Sequence, residues 1–210
     1  MIGILLILTA CHPLPSRPNL SATAPPESVS QSVGDTQTIK LKQEGGETLL
    51  TLKLLGDGGT LLNASEQELV RLQAEEGGKI KIKDTANQPL GYVISQSGTW
   101  TVKTADQSQA LLILRRQPDG DYTLATGDNQ PLYRINVRDD GLDIVTPDQR
   151  LRYQVIVNND TISLRDHQGQ TVLLTKAQIL PLAIACFGFD RLSREQQAAL
   201  AYGVNASGGR

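Results

Sequence analysis

From Thr38 to Leu174, apolar and polar residues alternate in short runs separated by Gly, Asn, Asp and Pro. A period of two places successive side chains on opposite faces, so these runs predict half-buried strands of an antiparallel sheet. Five units of about 20 residues repeat one plan, a strand, a turn and a second strand. Lys79–Lys83 turns into Leu90–Ile94, Thr99–Lys103 into Ala110–Leu114, and Tyr122–Ala125 into Leu132–Val137. Leu142–Val145 turns into Leu151–Ile156, and Thr161–Leu164 into Thr171–Leu174. Thr38–Lys42 and Glu47–Leu55, around Gly45-Gly46, add a sixth hairpin, which makes about 12 strands. In each repeated unit an Asp near the turn is placed to accept from backbone amides ahead of it.

Two segments break the alternation. Ser65-Glu66-Gln67-Glu68 has the spacing of a capping box, and Leu69, Val70 and Leu72 then predict a short helix. Ile179–Phe189 is apolar on every side, with Pro181 suited to the first turn of a helix of about 12 residues. A helix apolar all round is buried or lies in lipid, and this one, at about 18 Å, is too short to span a bilayer. A closed barrel of about 12 strands leaves a lumen wider than its own side chains fill. A narrow segment rich in Ala and Gly fits that lumen. Ser193–Gln196 reads as a second capping box and opens a helix ending near Gly203.

The expected architecture is therefore mainly β: a closed antiparallel barrel of hairpins around a buried C-terminal hydrophobic helix. The hairpins of the form Asp-x-x-Gln/Gly-x-x-Leu-x-Tyr-x-Ile lie best at Ile82–Ile94, Asp128–Val137 and Leu164–Leu174, followed by Ile179–Leu192. Together they resemble the tubby C-terminal-like barrel superfamily, in its LURP-one-related and phospholipid-scramblase-like branch. The resemblance covers about residues 38–204. It implies a fold and a membrane-associated setting, and it transfers no functional residue position by position.

Before the barrel the pattern is different. Ile2–Ala10 is a short apolar run closed by Leu8-Thr9-Ala10-Cys11, which resembles the bacterial lipobox. It is too short for a membrane span and reads as a secretory signal over residues 1–10, with Cys11 as the acylated N-terminus of the mature chain. The n-region lacks Lys and Arg. Residues 11–37 hold five prolines among Ser, Thr and Ala, a composition that builds no core and serves as a tether. Its reach is about 30 Å as a coil and about 80 Å if polyproline-like. Two or three acyl chains hold such a protein at a membrane, where one gives only marginal residence. Residues 38–204 form the barrel and 205–210 a disordered tail.

Composition narrows the function. With net charge −2 the chain lacks the basic excess of a nucleic-acid binder, so no nucleic-acid partner is expected. Two cysteines and two histidines supply neither a disulfide scaffold nor a zinc site. Cys186 sits in the apolar segment as a small buried hydrophobe, and His167 stands in a turn without a nucleophile beside it. Asp139-Asp140-Gly141-Leu142-Asp143 and Asn158-Asn159-Asp160 are oxygen-rich but lack the spacing of a calcium loop. Nucleophile-elbow and phosphate-loop motifs are absent. No cofactor, metal or catalytic residue is nominated. Lys79, Lys81 and Lys83 alternate onto one strand face, as do Arg134 with Arg138 and Arg150 with Arg152. These seven residues are the candidate anionic-ligand surface, against the competing reading of a solvated wall beside acidic turns.

The expected function is a lipid-anchored envelope protein with a non-catalytic binding or scaffolding role, its barrel facing periplasm or exterior. Its partners would be the membrane through the N-terminal lipid, and an anionic lipid, envelope polymer or envelope protein. The alternatives are an enzyme or lipid-translocating protein with its site at a barrel rim, and a cytosolic membrane-associated barrel without lipidation.

Overall fold

Seven loops at one rim of the sheet solve the same problem in nearly the same way. In six of them the first residue donates its N–H to the carbonyl four residues on, as in Asp84 to Gln88, Thr126 to Gln130 and Asp166 to Gln170. The fourth residue of each takes a positive φ: Gly46, Glu66, Asn87, Asn129, Gln149 and Gly169. This is the type I turn with a left-handed bulge residue that joins antiparallel strands without splaying them. The seventh, Thr104–Gln109, is one residue longer and places Gln107 at φ 60. Three of the turn carboxylates act as the sequence predicts, Asp84 accepting from Gln88 N–H, Asp106 from Ser108 N–H and Asp166 from the N–H groups of Gln168 and Gln170, whereas Asp128 and Asp148 accept from the Thr126 and Thr146 hydroxyls.

A computed structural model describes residues 36–209 of the chain. Its strands are β1 (Gln37–Lys42), β2 (Thr48–Leu55), β3 (Gly58–Asn63), β4 (Glu68–Glu75), β5 (Lys79–Lys83), β6 (Pro89–Gln96) and β7 (Thr99–Lys103). They continue as β8 (Ala110–Arg116), β9 (Tyr122–Thr126), β10 (Pro131–Arg138), β11 (Gly141–Val145), β12 (Leu151–Asn158), β13 (Thr161–Asp166) and β14 (Thr171–Thr175). Each pairs with its sequence neighbours and β14 returns to β1, which closes an antiparallel barrel. No helix among the described residues is long and apolar enough to cross a membrane.

The strand number is 14, not about 12. The two additional strands are β3, which precedes Ser65, and β4, which occupies the place of the helix expected after it. Ser65–Gln67 belongs to their connecting loop, where the Asn63 side chain accepts from Ser65 and Gln67 N–H. Val70 and Leu72 are buried while Arg71 and Gln73 between them are exposed. That is a period of two. The capping-box spacing at Ser65 is a turn, and tertiary pairing on both edges of β4 decides the rest.

Two glycines allow the strands to approach. At Gly141, φ is +151 and a Cβ would lie 1.9 Å from the Val155 carbonyl oxygen. Gly58 repeats the arrangement at φ +153 against the Leu72 carbonyl oxygen, also at 1.9 Å.

The single helix of about 12 residues expected over Ile179–Phe189 does not form. Instead α1 (Pro181–Ala185) runs into a 3-10 turn at Cys186–Gly188. Phe189 leaves helical geometry at φ −84, ψ 85. Gly188 lies against the Tyr153 ring, where a Cβ would sit 3.2 Å away. The longer helix is α2 (Arg194–Ala206), opened by the predicted capping box, in which Ser193 accepts from Gln196 N–H and the Gln196 side chain accepts from Ser193 N–H. Residues 182–187 and 198–202 join one apolar cluster with Ile39, Leu52, Ile82, Trp100, Leu114, Ile144 and Leu164 of the strands. α1 touches β11, β12 and β13, whereas α2 touches β3 to β7. Beyond residue 204, Ser207 Oγ accepts from the Trp100 indole at 3.2 Å and the Gly209 carbonyl from the Tyr122 hydroxyl at 3.2 Å.

Candidate functional site

The seven basic residues proposed from sequence separate into two chemistries. On β5, Ile80 and Ile82 are buried and Lys79, Lys81 and Lys83 lie between them on the opposite face, as the alternation requires. The arginines all stand beside carboxylates. Arg134 reaches Asp119 and Asp121, each at 2.9 Å, and Arg138 reaches Asp143 at 3.0 Å. Arg150 pairs with Asp148 at 2.6 Å and Arg152 with Asp190 at 3.3 Å. Burial opposes the Asp121 charge, yet the Val137 N–H and the Arg134 guanidinium outweigh it and hold the carboxyl below its ordinary pKa. Exposed pairs of this kind contribute little to stability, but each cancels a charge a ligand would need.

The lysines behave differently. Lys79 Nζ lies 3.1 Å from Glu75 and 4.5 Å from the centre of the Tyr92 ring, and Lys81 Nζ is 5.8 Å from the same ring. Lys81 and Lys83 make no ion pair among the described residues. The register then brings in residues outside the seven. Lys53 of β2 stands opposite Thr60, Thr60 opposite Arg71, and Arg71 opposite Lys83. The next row runs Gln73, Lys81, Tyr92 and Lys103 across β4 to β7. Cross-strand partners have Cβ atoms about 5 Å apart, so this is a continuous basic band on one wall. Glu68 answers Arg71 at 2.7 Å, while Lys53 and Lys103 have no carboxylate partner among the described residues.

Amino-acid usage follows the same division. Every strand lysine lies on β1 to β7, and β8, β10, β12 and β13 carry arginine instead. Arginine's planar fork suits local carboxylates, whereas lysine keeps a hydrated, mobile point charge. Lys53 and Lys103 each sit at an outward strand position that alternation alone marks. Their adjacency to β5 is visible only in the register.

At one rim, Asp190 accepts from the Tyr133 hydroxyl at 3.1 Å and from Arg152, which ties the end of the apolar segment to β10 and β12. Arg152 is thus a rim clamp rather than part of the band. Cys186 is buried, its thiol donating to the Leu182 carbonyl at 3.3 Å, and burial pushes its pKa far up. No group of three or more His, Cys, Asp or Glu side chains is arranged to hold a metal among the described residues. Cys11 lies outside the described residues.

No family model matches the chain, and no curated protein does. Among solved structures, the X-ray structure of the Arabidopsis thaliana protein AT5G01750 aligns with 72% of this chain and 86% of its own. Its identity is 10% and the TM-score 0.38, a level that assigns neither family nor function.

Proposed function

We propose that the chain is a non-catalytic binding or scaffolding protein whose β2–β7 wall receives an anionic partner. The observation that carries this is the set of strand lysines without a carboxylate partner among the described residues, Lys53, Lys81, Lys83 and Lys103, with Arg71 opposite Lys83 but already answered by Glu68. An anion laid along the band gains from these four lysines. Anionic lipid is the partner of choice because the band lies on a broad outer wall rather than in a cleft.

The proposal includes acylation at Cys11 and a prolyl tether, so that the membrane is met twice, by the lipid and by the wall. The likeness to tubby-like barrels belongs here as an inference too, supported by the ring of hairpins and the hydrophobic C-terminal segment. Its finer form is a barrel wound around its helical segment. Support comes from the burial of Ala183–Cys186 and Ala198–Ala201, and from contacts reaching strands on both halves of the ring.

The test uses the full chain carrying Cys11→Ala, so that no acyl group contributes. It should float with vesicles containing phosphatidylglycerol, stay behind with purely zwitterionic ones, and be released by salt. Lys81→Glu with Lys83→Glu should abolish flotation, while Arg150→Glu should leave it unchanged. Flotation that ignores the β5 changes would refute the wall assignment. The anchor is tested by intact mass of the membrane-purified protein, where an uncleaved Met1 without acyl mass would remove it.

A further inference from the structure

The closure of the barrel differs from every other contact in the sheet. All other neighbouring strands share at least four register partners. β1 and β14 share one, Lys42 with Leu174. Antiparallel register sets Leu41 against Thr175, the last residue of β14, and Gln37–Lys40 against residues beyond it. The stretch Lys176–Gln178 passes beside β1 outside any ladder, held by the Gln37 side chain donating to the Gln178 carbonyl. The β14-facing edge of Gln37–Lys40 therefore has no strand partner among the described residues.

A groove of about 540 Å³ opens there, lined chiefly by Thr38, Lys40 and Lys42 of β1 with Leu174, Thr175 and Lys176 across from them. Three lysines face one groove, and none makes an ion pair among the described residues. The floor between them is apolar, from Leu174 and Ala177. The adjoining β1–β2 turn carries two carboxylates, Glu44 and Glu47; Glu47 accepts from the Gln43 side chain at 2.5 Å, and neither forms an ion pair with a groove lysine among the described residues.

An open strand edge is a template for another strand, and lysines along it repel a second copy of the same basic edge. The same lysines attract a strand whose outward side chains are carboxylates. We propose that the β1–β14 seam is a strand-addition site for an acidic, extended segment of a partner protein. Four residues of β1 offer an edge about 14 Å long, enough for a short strand. Main-chain bonds to β1 would supply the hold, as in other sheet-edge recognition, and carboxylates meeting Lys40, Lys42 and Lys176 the selectivity. Small apolar side chains at alternate positions would face Leu174 and Ala177. A flat bilayer could reach the lysine tips but not the recessed backbone edge. The groove adjoins the β2–β7 wall at Lys53, which stands opposite Thr38, while Lys81 and Lys83 lie three strands further on and separate the two in the test.

The experiment titrates the full chain against a fluorescein-labelled peptide of alternating Glu and Val, read by fluorescence anisotropy. A second peptide of the same sequence carries N-methyl groups on alternate amides, which removes its strand hydrogen bonds and keeps its charge. The unmodified peptide should bind at low salt, the methylated one at least tenfold more weakly, and added peptide should slow amide exchange within Gln37–Lys40. Lys40→Glu with Lys176→Glu should weaken binding at least tenfold, and Lys81→Glu with Lys83→Glu should leave it within twofold. Lys40 and Lys176 are exposed, and Lys81 and Lys83 are half-buried at outward strand positions, so circular dichroism is expected to show the same fold for all variants. Equal affinity for the methylated peptide would overturn strand addition. So would loss of binding through the β5 changes alone, or anionic vesicles that depend on Lys40 and Lys176 while the peptide does not bind.

Discussion

Replacing Gly141 by Ala tests the close approach of β11 and β12 directly. The new Cβ would lie 1.9 Å from the Val155 carbonyl oxygen, about 1.1 Å inside the 3.0 Å floor that real Cβ atoms respect. The backbone must therefore move. A side chain at φ +151 costs about 1–2 kcal/mol in strain. Prising the strands apart leaves ladder groups poorly paired, at about 1–3 kcal/mol. The lower entropy of the unfolded Ala chain offsets roughly 0.5–1 kcal/mol of this. The expected net loss is about 3 kcal/mol, equivalent to a melting temperature lower by roughly 6–12 °C for a domain of this size. Gly120→Ala is the control, because Gly120 also has positive φ (+93) but nothing within 4 Å of a built Cβ. It keeps the strain and loses the clash, so about 1 kcal/mol is expected. Thermal and urea unfolding followed by circular dichroism measures both, with an unchanged m-value as the check on mechanism. Equal melting temperatures for the two variants would show that the approach to Val155 relaxes at no cost, and the reasoning would fail.

Other consequences are equally accessible. Asp106 is held at about 2 by the Thr104 hydroxyl, with Ser108 adding to it. Its folded pKa is below the unfolded one, so its stabilisation is complete above about pH 4 and vanishes as pH falls towards 2. Thr104→Val should thus melt lower than the parent at pH 6, with the gap narrowing through that acid window; a gap independent of pH would refute the assignment. Cys186 should resist a thiol reagent in the folded protein and react only on global unfolding, so that its labelling rate rises with urea in step with the unfolded population. Ending the chain after Thr175 removes α1 and α2, and the remainder should bind a hydrophobic dye and lose near-ultraviolet dichroism. A truncated product that melts cooperatively would mean that the strands need no helical segment.

The hairpins are legible because two independent signals agree in each, alternation along the strand and turn residues between. Lys79–Lys83 shows both the reach and the limit of such reading. Alternation places its three lysines on one face, but nothing local can say that Arg71 stands opposite Lys83. That depends on the lengths of the intervening loop and strand. The arginines mislead for a related reason. Arg134 finds Asp121 thirteen residues earlier, across β9, where sequence gives only an acidic turn. β4 escapes because Ser65-x-x-Glu68 satisfies a helix rule and a turn equally well, and pairing with β3 and β5 breaks the tie. The seam groove has no signature at all, since it arises from a stagger between the first and last strands.

The repeated rim loop has a consequence for how this fold can change. Its fourth position demands a left-handed backbone, yet Glu66, Gln107 and Gln149 fill it with residues that adopt that shape at a cost of about 1 kcal/mol each. Glycine there would relieve strain and forfeit part of the gain to chain entropy, leaving a rise of a few tenths of a kcal/mol per site. Gln149→Gly, with open solvent around an exposed turn, should raise the melting temperature by about 1 °C, and the three changes together by more than any error of measurement. The barrel therefore has headroom at rim turns that carry none of the lysines of either surface, and it could absorb destabilising change in those surfaces while remaining folded.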